Sequence, residues 1–103
     1  MTTAETTVLT ARSLADIATP QAARYMIQLC KHFAHRCPAS HDGRTGHIAF
    51  AAGDCYLRAE RDRLTIGLDA ASIAELPQLK DVVVRHLVRF AFREELQIAW
   101  RDA

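Results

Sequence analysis

The stretch "HIAFAAGDCYLRAERDRLTIGLDA", residues 47–70, decides the fold. It contains three short alternating runs separated by "AGD" and "ERD", a pattern that predicts an antiparallel meander with tight turns. Successive strand side chains point to opposite faces. Ile48 and Phe50, then Cys55, Leu57 and Ala59, then Leu64, Ile66 and Leu68 therefore share one face, while Tyr56, Arg58, Glu60, Thr65 and Asp69 share the other. Only the first of these is a core face, so something apolar must cover it.

Upstream, Thr19-Pro20 reads as a helix start, because the hydroxyl can cap free amides and proline at the first helical position gives up no hydrogen bond. The helix is predicted over Pro20 to Arg36, with Ala22, Tyr25, Met26, Leu29, Phe33 and Cys37 forming an apolar stripe that Pro38 ends. Before it, "TTVLTARSLADIA" alternates around Val8, Thr10 and Arg12 as a first strand, with an irregular tail. Downstream, Ser72 and Glu75 have capping-box spacing, Pro77 forces a restart, and a second helix is expected over Pro77 to Phe92. "ELQIAW" alternates Leu96, Ile98 and Trp100 inward, as a closing strand would. The expected architecture is an α+β two-layer sandwich in the order β-α-β-β-β-α-β: a mainly antiparallel sheet with two helices on one face, filling residues 1–103 as a single domain.

Composition narrows the function classes. Thirteen Lys and Arg against twelve Asp and Glu leave a net charge of +1, too little for a field that draws phosphate backbones or anionic lipid, so neither nucleic acid nor membrane is an expected partner. "MTTAETTVLT" lacks the basic start and apolar core of a signal sequence, and a cytoplasmic location is expected. Three cysteines imply no disulfide framework in such a compartment.

Chemistry is concentrated in "QLCKHFAHRC", residues 28–37. At 100° per residue, Cys30 and Cys37 flank the apolar stripe and lie about 10 Å apart along the axis, too far to bridge, so they read as packing thiols. His32 sits at the rim of the stripe, whereas His35 and Lys31 point away from it. His32 and His35 have the three-residue spacing of a metal pair, although that spacing alone is unspecific. In the second helix Leu76, Leu79, Val83, Leu87 and Phe90 make the buried stripe, and His86 lies within about 50° of its centre, so it should be mostly buried and neutral. Helices side by side on one sheet would bring His32 and His86 together across their seam, with Tyr25 and Cys55 as further candidate neighbours. A seam metal, iron or zinc, would draw on His32, His35 and His86. No phosphate loop, nucleophile elbow or activated lysine is present in the sequence, so no catalytic residue is assigned.

The segments "ARYMIQLCKHFAHR", "GDCYL", "DRLT" and "VVVRHLVRFAFREEL" resemble, in order, the bacterial domain of unknown function 2218 family, over about residues 18 to 101. The positions matching the family pattern here include Arg24, Tyr25, Cys30, His32, His35, Cys55, His86, Phe90, Phe92, Arg93 and Glu94, which adds Arg93 to the ligand-binding candidates His32, His86, Tyr25 and Cys55. The resemblance implies no established reaction. It implies an association with siderophore-interacting, ferric-reductase-type proteins and thereby an iron-related accessory role. The Cys37-Pro38 helix end and the small-residue "AFAAGD" turn depart from the pattern.

The favoured expectation is a non-catalytic binding or accessory domain with the His/Cys seam as its ligand or metal site. One alternative is a small enzyme using His32 and His86 for acid-base chemistry. Another is an interaction domain whose open sheet face, carrying Tyr56, Ala49 and Ala99, pairs with a second copy in a homodimer or with a siderophore-interacting reductase.

Overall fold

A computed structural model describes residues 11–103. Strand β1 (Arg12–Ala18) leads into helix α1 (Ala22–Phe33). Four strands follow: β2 (Ala39–His41), β3 (Thr45–Phe50), β4 (Gly53–Glu60) and β5 (Arg63–Ala70). A single 3-10 turn (Ile73–Glu75) then opens helix α2 (Leu76–Phe90), and β6 (Arg101–Asp102) closes the chain. The six strands form one antiparallel sheet in the order β2-β3-β4-β5-β1-β6, and both helices pack on its inner face in a two-layer α+β sandwich.

The meander matches its sequence pattern. β3, β4 and β5 pair in register through Ile48↔Cys55↔Leu68 and His47↔Tyr56↔Gly67, and Cys55, Leu57, Leu64, Ile66 and Leu68 are buried against the helices. Gly53 is required at the β3–β4 turn. Its φ is +145°, and a Cβ there would lie 2.4 Å from the Asp69 carbonyl oxygen. From α1, Met26, Leu29 and Cys30 are fully buried, and from α2 so are Leu79, Val83 and Leu87. Each large apolar side chain so placed contributes about 1.5 to 3 kcal/mol. The surface pairs Arg85–Asp81 and Arg12–Asp69 contribute at most a few tenths each, so the core decides the fold.

Four elements differ from expectation. Val8 and Thr10 lie outside the described residues, and the strand occupies the segment expected to be irregular, where Ser13, Ala15 and Ile17 alternate inward. A short strand, β2, lies inside the supposed loop "PASHDGRTG", joined to β3 by a turn in which the Asp42 carboxylate accepts the amides of Arg44 (2.9 Å) and Thr45 (2.7 Å) and Gly43 takes φ +91°. Helix α1 stops at Phe33, because the amides of Arg36 and Cys37 both turn back to the Phe33 carbonyl (2.9 Å each) ahead of Pro38, whose ring disfavours a helical residue before it. "ELQIAW" is not a strand. Leu96, Ile98 and Trp100 lie half-buried along the core edge, and pairing begins only at Arg101, whose carbonyl accepts the Ser13 hydroxyl at 3.0 Å. The exposed Ala99 therefore does not belong to the open sheet face.

Candidate functional site

Helix α2 presents His86 toward α1, and its position is fixed from within its own helix. His86 Nδ1 lies 2.7 Å from the Val82 carbonyl oxygen. A carbonyl only accepts, so Nδ1 carries the proton, and in the neutral ring the lone pair sits on Nε2. The His32 ring stands 4.9 Å from the His86 ring, centroid to centroid, at 42°. Phe33 packs edge-on against both, at 4.9 Å from His32 and 4.8 Å from His86, and Phe90 lies 5.7 Å from His32. The two imidazoles expected to meet across the seam are thus in contact. His86 is half-buried rather than mostly buried, and His32 is exposed.

Burial of the ring against these neighbours pushes the His32 pKa down, and His86, Arg36, His35 and Arg89 push it the same way. His32 is therefore neutral near pH 7. Those same arginines give the seam a cationic rim, which favours an anionic ligand and repels a bare divalent cation.

The other candidates are not all gathered here. His35 is exposed, and its effect on His32 is to help push that pKa down. Among the described residues no three His, Cys, Asp or Glu side chains come close enough to hold an ion, so the set His32, His35 and His86 is not assembled. Two imidazoles alone also suit ferric iron poorly, since that hard ion prefers oxygen donors. Cys55 is not a seam residue. It is fully buried under the sheet, between Ile48 and Leu68 on the neighbouring strands, and burial drives its thiol pKa far up, with Cys30 and Asp54 adding to the effect. The alternation that placed Cys55 on the core face was sound. It could not separate core from seam.

Tyr25 and Arg93 lie one end further along the seam. The Tyr25 hydroxyl donates to Glu94 Oε2, which also accepts from the Thr19 hydroxyl at 2.8 Å. Tyr25 and Thr19 are 5% and 3% exposed, so these donors have little recourse to water. Burial, then the bond to Glu94, pushes the Tyr25 pKa up and keeps the phenol protonated. Thr19 also accepts the Gln21 amide at 3.1 Å, a local version of the expected cap. Around this network lies a cleft of about 480 Å³ lined by Arg24, Tyr25, Phe90, Phe92, Arg93 and Glu94, with the Arg93 guanidinium 5.4 Å from the Phe92 ring centre. Phe90 borders both the cleft and the imidazole cluster. Glu94 and Thr19 escaped a residue-by-residue reading for function. An acidic side chain just beyond an apolar helix usually faces water, and only the family pattern marked Glu94.

No helix among the described residues is long and apolar enough to cross a membrane. Comparison with curated proteins gives no match. Among solved structures the chain is similar to PA4090 from Pseudomonas aeruginosa, determined by NMR, at 36% identity over 87% of this chain and 94% of that one, with a TM-score of 0.74. Residues 14–101 match the family described as an uncharacterized protein conserved in bacteria (DUF2218), and the chain belongs to that family.

Proposed function

We propose that this protein is a non-catalytic binding or accessory domain whose ligand, a small anion or an anionic metal chelate, docks in the α1–α2 seam. The observation that carries this reading is the contact of the His32 and His86 rings, 4.9 Å apart, beside the guanidinium groups of Arg36 and Arg89. Aromatic walls and nearby guanidinium groups complement an acidic, partly aromatic molecule better than a naked cation. An iron-related role fits in the same way. A ferric ion wrapped by an all-oxygen chelator brings its own donors and a negative charge, and would ask of the protein only a cationic, aromatic seat. A siderophore-interacting reductase in the cytoplasm is the partner class that such a carrier would serve.

The reading is tested by titrating isotope-labelled protein with gallium tris-catecholate, a diamagnetic stand-in for the ferric chelate, and separately with zinc ion. Saturable shifts of the His32 and His86 ring signals with the chelate, lost in His32→Ala and His86→Ala, support it. Silence at both rings up to millimolar chelate would sink it.

A further inference from the structure

The outer face of the sheet, away from the helices, carries a feature that the seam does not use. Cross-strand register places His47, Tyr56, Gly67 and Leu14 in one row across β3, β4, β5 and β1. Tyr56 is 51% exposed, and one of its ring faces is covered by His47, stacked at 4.8 Å and 13°. His47 is itself held by Asp54, at 2.8 Å from Nε2. Beyond Tyr56 the row has no side chain at Gly67, and the far wall is Leu14, whose Cδ2 would lie 3.2 Å from a Cβ added at Gly67. Tyr56 and Leu14 stand two strand spacings apart, roughly 9.5 Å, which leaves space for a flat ring against the uncovered face of Tyr56. The recess has a volume of about 650 Å³.

Charge selects the ligand further. Most acidic groups on this face already have partners. Asp16 pairs with Arg101 (2.9 Å), Asp69 with Arg12, and Glu60 with Arg63, while Asp42 at the rim accepts two amides and the Thr45 hydroxyl. Arg58, also lining the recess, has neutral Thr45 and Thr65 as its cross-strand neighbours, and its guanidinium makes no hydrogen bond or ion pair among the described residues. We propose that this slot over Gly67 is a second binding site, for a planar aromatic carboxylate that stacks on Tyr56 and pairs with Arg58. Stacking on one ring plus a charge-assisted hydrogen bond predicts affinity in the millimolar range.

The probe is 2-naphthoate, with neutral 2-naphthamide as its companion, followed by amide chemical shifts of the full chain. Binding should saturate and move the Tyr56, Arg58 and Gly67 signals. Gly67→Val should fill the slot and weaken naphthoate at least tenfold. Its backbone is not in the left-handed region and a Cβ there is tight only against the Leu14 side chain, so thermal unfolding should show an intact fold. If that variant fails to fold, Tyr56→Ala at the half-exposed neighbouring position makes the same test. Arg58→Gln should weaken naphthoate about fivefold and leave naphthamide unchanged. Naphthoate shifts that avoid this row, or equal affinity in the slot variants, would overturn the proposal. So would light scattering that finds a dimer which Tyr56→Ala dissociates, since a second copy would then occupy the face.

Discussion

Tyr25 and Glu94, on α1 and on the segment that leaves α2, are joined by a hydrogen bond between side chains that are 69 residues apart in sequence. The bond ties the start of the first helix to the exit of the second. Removing only the phenolic oxygen, in Tyr25→Phe, leaves Glu94 bonded to Thr19 and should cost about 1 kcal/mol. Glu94→Ala strands two buried hydroxyl donors and should cost about 3 kcal/mol. Urea denaturation midpoints give both numbers. Equal losses would mean that Glu94 is not the shared acceptor.

Acid should loosen the seam. The folded-state pKa of His32 is below its unfolded value, so its contribution to stability is present above about pH 6.5 and is lost as pH falls through the folded value. Wild type should lose more stability between pH 7.5 and pH 5 than His32→Gln, measured by thermal unfolding at each pH. Parallel pH profiles for the two proteins would refute this.

Tyr25 gives the opposite sign. Its folded pKa is raised, so its contribution holds below about pH 10 and disappears as pH rises through the folded value. Tyr25→Phe should accordingly flatten the alkaline limb of the stability profile, and an unchanged limb would show that the phenol titrates elsewhere.

Two glycines with positive φ should respond unequally to alanine. At Gly43 nothing lies within 4 Å of an added Cβ, so Gly43→Ala costs only the strain of its φ, about 1 kcal/mol. At Gly53 the Cβ would also strike the Asp69 carbonyl oxygen and, at 2.6 Å, the Ala70 Cα, so about 3 kcal/mol or more is expected. A smaller loss at position 53 than at 43 would contradict the turn geometry.

Cysteine accessibility offers a further check. Cys37 is half-buried while Cys30 and Cys55 are sealed in the core, and burial raises the pKa of all three. A thiol reagent should label Cys37 first, and Cys55 only after denaturant is added. Labelling of Cys55 in native protein would place it outside the core.

The parts of this fold that were legible were those where burial and backbone geometry share a period. Cys55, Leu57 and Ala59 alternate because β4 has one dry face, and Met26, Leu29 and Phe33 recur because α1 does. The same logic misled at Leu96, Ile98 and Trp100. Alternation reports which side chains are covered, not whether the backbone pairs, and this segment lines the core edge without a neighbouring strand. β2 was hidden because three residues cannot show a period, although Asp42-Gly43 after it is a hairpin signal. At the site, helix angles were enough to bring His32 to His86. They could not reveal the Tyr25–Glu94 link, because no rule of spacing connects a helix to the irregular turn after another one.

The strand order β2-β3-β4-β5-β1-β6 has a kinetic corollary. The meander can zip from its own short turns, but β1 finds its partner only when Ala18 reaches Arg63, and the last two strand residues must then lock onto β1 from the other side. During synthesis β1 emerges before the other described strands and would wait with both borders open until Arg63 and the residues after it are made. Of its three inward residues Ser13 and Ala15 are small and only Ile17 is large, so it exposes little apolar surface during that interval.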